Sequence, residues 1–401
     1  MCGICGLISL DSERDVPEGL VREMMETLKH RGPNDEGFHG EPGIGFGFRR
    51  LATVDLSPLG NQPMCNEDGT IWLLFNGVIY NYVDLMPELK QAGHVFRSRC
   101  DTEVVIHGYE EWGSACLERF NGTFSIVLWD RRKRTVFVAR DRFGVNPLYY
   151  WSDGSYFAFS SEPKALLKLP FVPRELNLQA LQTYLMHEYV PAPESIFTGI
   201  RKFPSAHRME FQLDGSALGR KSHDWRPQQY WNLNYQTPET KTRSVGDYVA
   251  EYRDLFKSAL QYRLNTDVPV GVFLSGGLDS SSIVAMLKEV SKETPKTFSI
   301  GYEEKTFNEL RYARIVADHF KTDHYEEVVR PDVKDLIATV ANFLDEPFAD
   351  ASALPTFLVS KLANKHVTVV LSGDGGDEFF AGYEWYRADK IASHSIDHLP
   401  A

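Results

Sequence analysis

Apolar and polar residues follow two different rhythms along this 401-residue chain. From Met1 to about Leu213 the apolar positions fall in short runs, "GIGFGFRRLATVD", "TIWLLFNGVIYN", "FSIVLWD", "TVFVARD", "PLYYW" and "SYFAFSSE". These runs are rich in Phe, Val, Ile, Tyr and Trp and are broken by Gly, Asn, Asp and Pro, which predicts strands joined by turns. Helical stretches interrupt them near Gly19–Lys29 and Thr102–Trp112, so residues 1–213 read as a layered α+β domain. Over 214–243 the chain turns polar, Pro-containing and aperiodic ("KSHDWRPQQYWNLNYQTPETKTR"), as a linker does. From 244 to 401 strand-like "DVPVGVFLS", "KTFSIGY" and "VTVVLSG" are separated by helix-like stretches. In Asn308–Phe320, Leu310, Ala313, Val316, Ala317 and Phe320 recur at helical spacing. That alternation predicts an α/β domain with a parallel sheet, which binds ligands outside the carboxyl ends of its strands.

A composition of 43% hydrophobic and 24% charged residues is that of a globular chain of two or three domains. The formal net charge of −12 argues against nucleic acid and against an anionic membrane surface as partners. The one basic run, Arg131 to Arg134 in "WDRRKRTVF", is expected at a hairpin tip. No stretch approaches the roughly 20 apolar residues of a membrane span. The start lacks the apolar run of a signal peptide, so a cytoplasmic location is expected. The five cysteines (Cys2, Cys5, Cys65, Cys100, Cys116) are odd in number and form no regular disulfide framework, which suits a reducing compartment.

At the end of the strand "VGVFL" comes "SGGLDSS", followed by an apolar helix. Gly276 and Gly277 let backbone approach a ligand, while Ser275 and Ser280–Ser282 supply hydroxyls and cap a helix whose amino end attracts anions. Phosphate fits such a loop, although a plain strand-to-helix turn uses the same residues. No lysine of the GxxxxGK[ST] type is present; Asp279 instead places a carboxylate in an anion site, which makes sense if Mg²⁺ bridges it to phosphate. About one hundred residues on, "VTVVL" ends in "SGDGGDEFFAGY", with Asp374, Asp377 and Glu378. Two such loops can converge on one nucleotide from neighbouring strand ends.

"SGGLDSS" resembles the pyrophosphate loop of the ATP pyrophosphatase family, which splits ATP into AMP and pyrophosphate to adenylate an acceptor. With "DEPFADASALPT" and "SGDGGDEFFAGY" behind it, the second half is similar to the synthetase domain of asparagine synthetases. That resemblance implies ATP and Mg²⁺ as cofactors. It implies nucleotide contacts from Leu274, Ser275, Gly276, Gly277, Asp279, Ser280, Ile300, Ser372 and Gly373, and Mg²⁺–pyrophosphate on Asp279 and Asp377. Asp374 stands where the family has an acidic residue important for the acyl-adenylate.

The amino end, "MCGICGLISL", raises three readings: a frayed tail with incidental thiols, a CxxC pair of Cys2 and Cys5 for metal or redox work, or a nucleophile exposed when Met1 is removed. An amino-terminal thiol can attack an amide with its own α-amine as base, reference pKa ~7.7–8.0. "MCGICG", "KHRGPNDEG", "RRLATVD", "NGVIYN" and "RCDTEVV" together resemble a class II glutamine amidotransferase domain, an amino-terminal-nucleophile (Ntn) fold with an α/β/β/α core, over most of residues 1–210. The resemblance implies that Cys2 attacks the glutamine amide and that Asn76 and the Gly77 backbone form the oxyanion hole. Arg50, with Leu51 beside it, and Asp101 then hold the α-carboxylate and α-amine, and Val78 belongs to the same set. Singly, Asn76-Gly77 reads as a turn, Arg50 as a surface charge and Asp101 as a helix cap.

The sequence departs from the family in places. NGEIYN becomes "NGVIYN", with Val78 for a glutamate that helps to bind the substrate amine; GIKPLYY becomes "GVNPLYY" with Asn146, and FDE becomes "FNE" with Asn308. Family members generally continue beyond "IDHLPA" into a helical region that carries an assisting lysine, so the synthetase half is expected to be partial here. The implied activity is glutamine-dependent asparagine synthesis, with ammonia passing from glutamine to adenylated aspartate. Glutamine, aspartate and ATP are the expected small-molecule partners and a homodimer the candidate assembly. The rivals are a relative that amidates another carboxylic acid, a sugar acid or natural product, and a family member whose chemistry is impaired.

Overall fold

The computed structural model describes residues 1–11, 14–213, 226–234, 243–304, 308–329 and 333–395. Most of the stretch read as a linker, 214–225 and 235–242, lies outside them. The chain divides into two compact units, Met1–Thr242 with Ile337–Asp350, and Arg243–Leu336 with Ala351–Ala401.

The first unit contains the strands β1 (Gly3–Ser9), β2 (Asp35–Glu41), β3 (Ile44–Arg50), β4 (Met64–Cys65), β5 (Ile71–Ile79), β6 (Gly122–Asp130), β7 (Thr135–Arg140), β8 (Tyr149–Ser152), β9 (Tyr156–Ser160), β10 (Arg201–Lys202), β11 (His207–Gln212) and β12 (Gln228–Gln229). They form two six-stranded sheets, ordered β10-β8-β9-β1-β3-β2 and β12-β11-β7-β6-β5-β4, and their neighbours run antiparallel. Strand parity decides what each face buries. Ile4 and Ile8 of β1 join Phe46 and Phe48 of β3, Leu74 of β5 and Val127 of β6 in the core between the sheets. Cys5 and Leu7, the alternate residues of β1, turn outward to the helix Glu18–Thr27. Ile71, Leu73 and Phe75 of β5 likewise turn outward, to the helices Tyr82–Gln91 and Asp101–Trp112. The result is the expected α/β/β/α layering. Because both faces of each sheet are covered, the strands read as unbroken apolar runs rather than as alternation.

The basic run Arg131–Arg134 tips the β6–β7 hairpin, as expected, with Lys133 paired to Asp130 at 3.4 Å and Arg134 Nε donating to the Leu213 carbonyl at 2.7 Å. The segment Ile337–Asp350 belongs to this unit although it lies late in the sequence. Glu346 fixes it by accepting from the Ile196 N–H at 2.9 Å and Tyr149 Oη at 2.9 Å, and by pairing with Lys202 Nζ at 2.7 Å.

The second unit carries the strands β13 (Val270–Phe273), β14 (Lys296–Gly301), β15 (Asp323–Val328) and β16 (Val369–Leu371) in a parallel sheet ordered β15-β14-β13-β16. One face packs on the helices Val245–Arg263, Leu278–Val290 and Leu310–Phe320. On the other, Leu362 and Ala363 of the helix Ala353–Ala363 close over Phe298. The chain leaves β13 for β14 and β15 on one side and returns to β16 on the other, so the strand order reverses between β13 and β16. A crevice at their carboxyl ends is the position at which such sheets bind ligands.

Candidate functional site

In the first unit β1 and β3 pair with Gly3 opposite Arg49, which brings Cys2, one residue earlier, beside Arg50. Cys2 packs on the core between the sheets while Cys5 faces the outer layer, so the two thiols point to opposite faces and do not form a CxxC pair. One cavity is lined by Cys2, Arg50, Leu51, Gly77, Asp101 and Thr102, with Gln62 and Cys100 among its further walls. Residues from four separate parts of the chain thereby meet in one place. Asn76 and Val78 flank Gly77 in β5 and do not line the cavity. Their parity with Trp72 and Leu74 directs them to the inner face against which Cys2 packs.

Cys2 is tied down on both sides. The Leu51 N–H donates to Sγ at 3.4 Å, the thiol donates to the Leu51 carbonyl at 3.6 Å, and Arg31 Nε donates to the Cys2 carbonyl at 2.9 Å. Glu162 holds Arg31 in turn, through Nη1 at 2.9 Å. Burial pushes the thiol pKa up, opposed by the Leu51 backbone hydrogen bond. Burial also lowers the Met1 α-amine to about 6.

Arg50 is buried, and its guanidinium is fixed by the Ser57 carbonyl at 2.8 Å and Asn61 Oδ1 at 2.7 Å. Asp101 opens the helix Asp101–Trp112 rather than capping it, and its Oδ2 accepts the Ile79 N–H at 2.9 Å. Desolvation raises its carboxyl to about 6. Asn76 is 1% exposed, and neither atom of its amide has a hydrogen-bond partner. A buried amide without partners costs about 1–3 kcal/mol. Gly77 must lack a side chain, since a Cβ there would lie 2.2 Å from the Thr123 carbonyl oxygen on β6.

In the second unit the two glycine loops adjoin. Ser275–Ser281 follows β13 and Ser372–Glu378 follows β16, its parallel neighbour. A Cβ on Gly376 would sit 2.4–2.7 Å from the Asp279 carboxyl atoms, and one on Gly373 would sit 2.9 Å from Asp279 Cβ. Leu274 is anchored to β14 by its N–H on the Phe298 carbonyl at 2.9 Å and by Ser299 Oγ on its own carbonyl. Ser280 Oγ accepts from the Ser275 N–H at 3.3 Å and meets Ser275 Oγ at 3.1 Å, which shapes the turn; the hydroxyl of Ser281 is buried without a partner. Ser372 Oγ donates to Asp374 Oδ2 at 2.7 Å. Ile300 lies half-buried near the carboxyl end of β14, and Asp377 in the first turn of the short helix Gly376–Phe380. Carboxylates within a glycine cradle are the hard oxygen donors that Mg²⁺ takes, so these residues fit a Mg²⁺-bound polyphosphate.

The supporting residues Arg31, Glu162, Gln62 and Cys100 were not singled out from sequence. Arg31 lies inside "KHRGPNDEG", so the motif carried it unnamed; Glu162 and Gln62 are placed only by tertiary pairing. Asn308, one of the departures, orders its own loop: Nδ2 donates to the Tyr302 carbonyl at 2.6 Å and Oδ1 accepts the Leu310 N–H at 3.1 Å.

A glutamine amidotransferase domain family matches residues 1–231 and an asparagine synthase family residues 251–401. The chain is 35% identical over 405 residues to asparagine synthetase [glutamine-hydrolyzing] 1 of Bacillus subtilis, covering 100% of this chain and 62% of that protein. It is 38% identical over 417 residues to putative asparagine synthetase [glutamine-hydrolyzing] 2 of Methanocaldococcus jannaschii, covering 98% of this chain and 78% of that one. It is 28% identical over 426 residues to the amidase chry2 of Gibberella zeae, covering 98% and 61%. The chain thus spans about three-fifths of the length of the first and third of these relatives. No helix among the described residues is long and apolar enough to cross a membrane.

Proposed function

The chain belongs to the family of glutamine-hydrolysing asparagine synthetases, and from that premise we propose that it releases ammonia from glutamine at Cys2 and delivers it to aspartate adenylated at the loops Ser275–Ser281 and Ser372–Glu378. The observation that carries this reading is the single cavity collecting Cys2, Arg50, Gly77 and Asp101 from distant parts of the chain. Arg50 takes the α-carboxylate of glutamine and Asp101 its α-ammonium, a fit at both ends of a zwitterion.

Once Met1 is removed, the α-amine of Cys2 accepts the thiol proton as Sγ bonds to the glutamine side-chain carbonyl carbon. The oxyanion meets Asn76 Nδ2 and the Gly77 N–H, each worth roughly 2.7–4 kcal/mol in the transition state. Collapse breaks the C–N bond, the α-ammonium returns its proton to the leaving nitrogen, and ammonia departs. Water then cleaves the glutamyl thioester to glutamate and regenerates the thiol.

At the second site the aspartate side-chain carboxylate attacks the α-phosphorus of ATP, and the bond to pyrophosphate breaks. Ammonia then displaces AMP to give asparagine. Leu274, Ile300, Ser372 and Gly373 hold the nucleotide, and Ser275, Gly276, Gly277 and Ser280 the phosphates. Mg²⁺, on Asp279 and Asp377, supplies positive charge to the pyrophosphate when bound. Asp374 lies at the acyl-adenylate.

The test measures glutamate from glutamine by protein lacking Met1, and AMP from ATP with aspartate or with a panel of other carboxylic acids. Glutamate release that depends on Cys2, together with aspartate-dependent AMP, is the expected result. AMP without any glutaminase signal overturns the assignment of Cys2, and AMP that ignores aspartate but follows another acid overturns the acceptor.

A further inference from the structure

Away from the cavity, two histidines and a glutamate of the first unit converge. His107 and Glu110 lie three residues apart on the helix Asp101–Trp112 and share one face. His94 reaches them from the turn that follows the helix Tyr82–Gln91. His107 Nδ1 is 2.9 Å from Glu110 Oε2 and His94 Nδ1 is 3.6 Å from the same oxygen. One donor atom from each residue lies within 4.8 Å of the other two.

Around a bound metal a ligating imidazole typically donates its far N–H to a carboxylate. His94 Nε2 faces Glu111 Oε2 at 3.2 Å. His107, 1% exposed, turns Nε2 toward Glu103 Oε1 at 3.7 Å and Glu67 Oε1 at 4.0 Å, with no hydrogen bond closer. Glu103 is itself held by the N–H groups of Arg97 at 2.8 Å and Ser98 at 2.7 Å. Asn66 Nδ2 donates to the other oxygen of Glu110 at 2.8 Å, leaving Oε2 to the histidines. With both far nitrogens turned to carboxylates, two Nδ1 atoms and a carboxylate oxygen face one point. Glu67, Glu103, Glu110 and Glu111 bring four acidic groups to this spot, against Arg132 at 3.4 Å from Glu110.

We propose that His94 Nδ1, His107 Nδ1 and Glu110 bind a divalent transition-metal ion of the zinc type, with water in the fourth position. Two imidazoles and a carboxylate are a zinc donor set, and bond lengths of about 2.0–2.1 Å in a tetrahedron place donors about 3.3 Å apart. The two separations from Glu110 Oε2, 2.9 and 3.6 Å, bracket that value and all three donors lie within 4.8 Å of one another, so side-chain rotations complete the sphere. The ion ties the turn carrying His94 to the helix whose first residue is Asp101, and so stiffens residues 95–100 between them. Its role is structural: it holds Cys100 and Asp101 to the glutamine cavity.

The full chain is stripped with chelator, titrated with ZnCl₂ alone and analysed for retained metal after gel filtration. About one equivalent is expected for the wild type, with a melting temperature about 5–10 °C higher at a hundredfold excess over the dissociation constant. His94→Gln, a half-buried position that need not disturb the helix, and Glu110→Gln are each expected to lose the retained zinc and the thermal shift. In both variants the far-ultraviolet circular dichroism verifies folding. A wild type that retains no zinc, or variants that retain it as the wild type does through the cysteines, overturns the proposal. Neither result depends on glutaminase or synthetase turnover.

Discussion

Replacing Asn76 with alanine should make the protein slower and no less stable, a combination that separates a catalytic amide from a structural one. In the structure the amide is 1% exposed and unpartnered at both ends. Its desolvation costs the free protein about 1–3 kcal/mol. Truncation removes that cost and leaves a void of about 40 Å³, worth roughly 1 kcal/mol at ~24 cal/mol per Å³. The sum runs from about 0 to 2 kcal/mol in favour of the variant, or a rise of up to about 8 °C at ~2–4 °C per kcal/mol. If the amide stabilises the oxyanion, kcat for glutamate release falls by about 10²–10³, while KM for glutamine stays near its wild-type value. Calorimetry and a steady-state glutaminase assay on one preparation read both quantities. A variant that melts several degrees lower with kcat intact would show that Asn76 has a hidden structural partner and no role in the chemistry.

Burial raises the Asp101 carboxyl to about 6 from an ordinary value of 3.8, so the fold prefers it neutral. Its contribution to stability is therefore complete below about pH 4 and is lost as pH rises to about 6, while binding of the substrate ammonium, which needs the carboxylate, improves over the same window. KM for glutamine should fall as pH rises through about 6, and Asp101→Asn should raise KM and flatten the profile; a KM that ignores pH between 5 and 7 contradicts this. Gly376→Ala drives a methyl group to within 2.4–2.7 Å of the Asp279 carboxyl atoms, so restoring an ordinary contact of 3.4 Å moves the carboxylate by about 1 Å, and a misplacement of that order costs about 10²-fold. AMP formation should drop accordingly with glutamate release unchanged, and an unaffected AMP rate would detach Asp279 from the phosphates. Val78→Glu returns the carboxylate of the family motif to a half-buried site. One charge-assisted hydrogen bond of about 1.5–3 kcal/mol should lower KM for glutamine at least tenfold, and no change would place residue 78 out of reach of the amine.

What the sequence reveals and hides here divides along one physical line. Both candidate sites carry motifs whose hydroxyls shape their own loops, Ser280 on Ser275 and Ser372 on Asp374. Gly77 and Gly376, packed against the Thr123 oxygen and the Asp279 carboxylate, take their reason from partners distant in sequence. Of the strands that escaped notice, β2 ("DEGFHGE") and β15 ("DHYEEV") end their sheets, where charge prevents pairing with another chain, whereas β1 and β11 lie inside theirs. The helix Tyr82–Gln91 was hidden by Pro87, which sits inside it. Hidden most completely was the membership of Ile337–Asp350 in the first unit. Its anchors are Asp345, paired with Lys164 Nζ at 2.8 Å, the Ala349 N–H on the Glu188 carbonyl at 2.9 Å, and above all Glu346, whose partners Tyr149, Ile196 and Lys202 stand far back in the sequence. Within its own segment that glutamate is one letter of "DEPFAD", indistinguishable from a solvated charge. The proposed metal ligands are hidden for the same reason at shorter range, since His94 and Glu110 come together only because a turn and a helix pack side by side. Residues that shape their own loop can be read from the loop, whereas residues whose meaning is a distant partner require the fold; a search for further chemistry in this chain therefore belongs with buried side chains that no local motif explains.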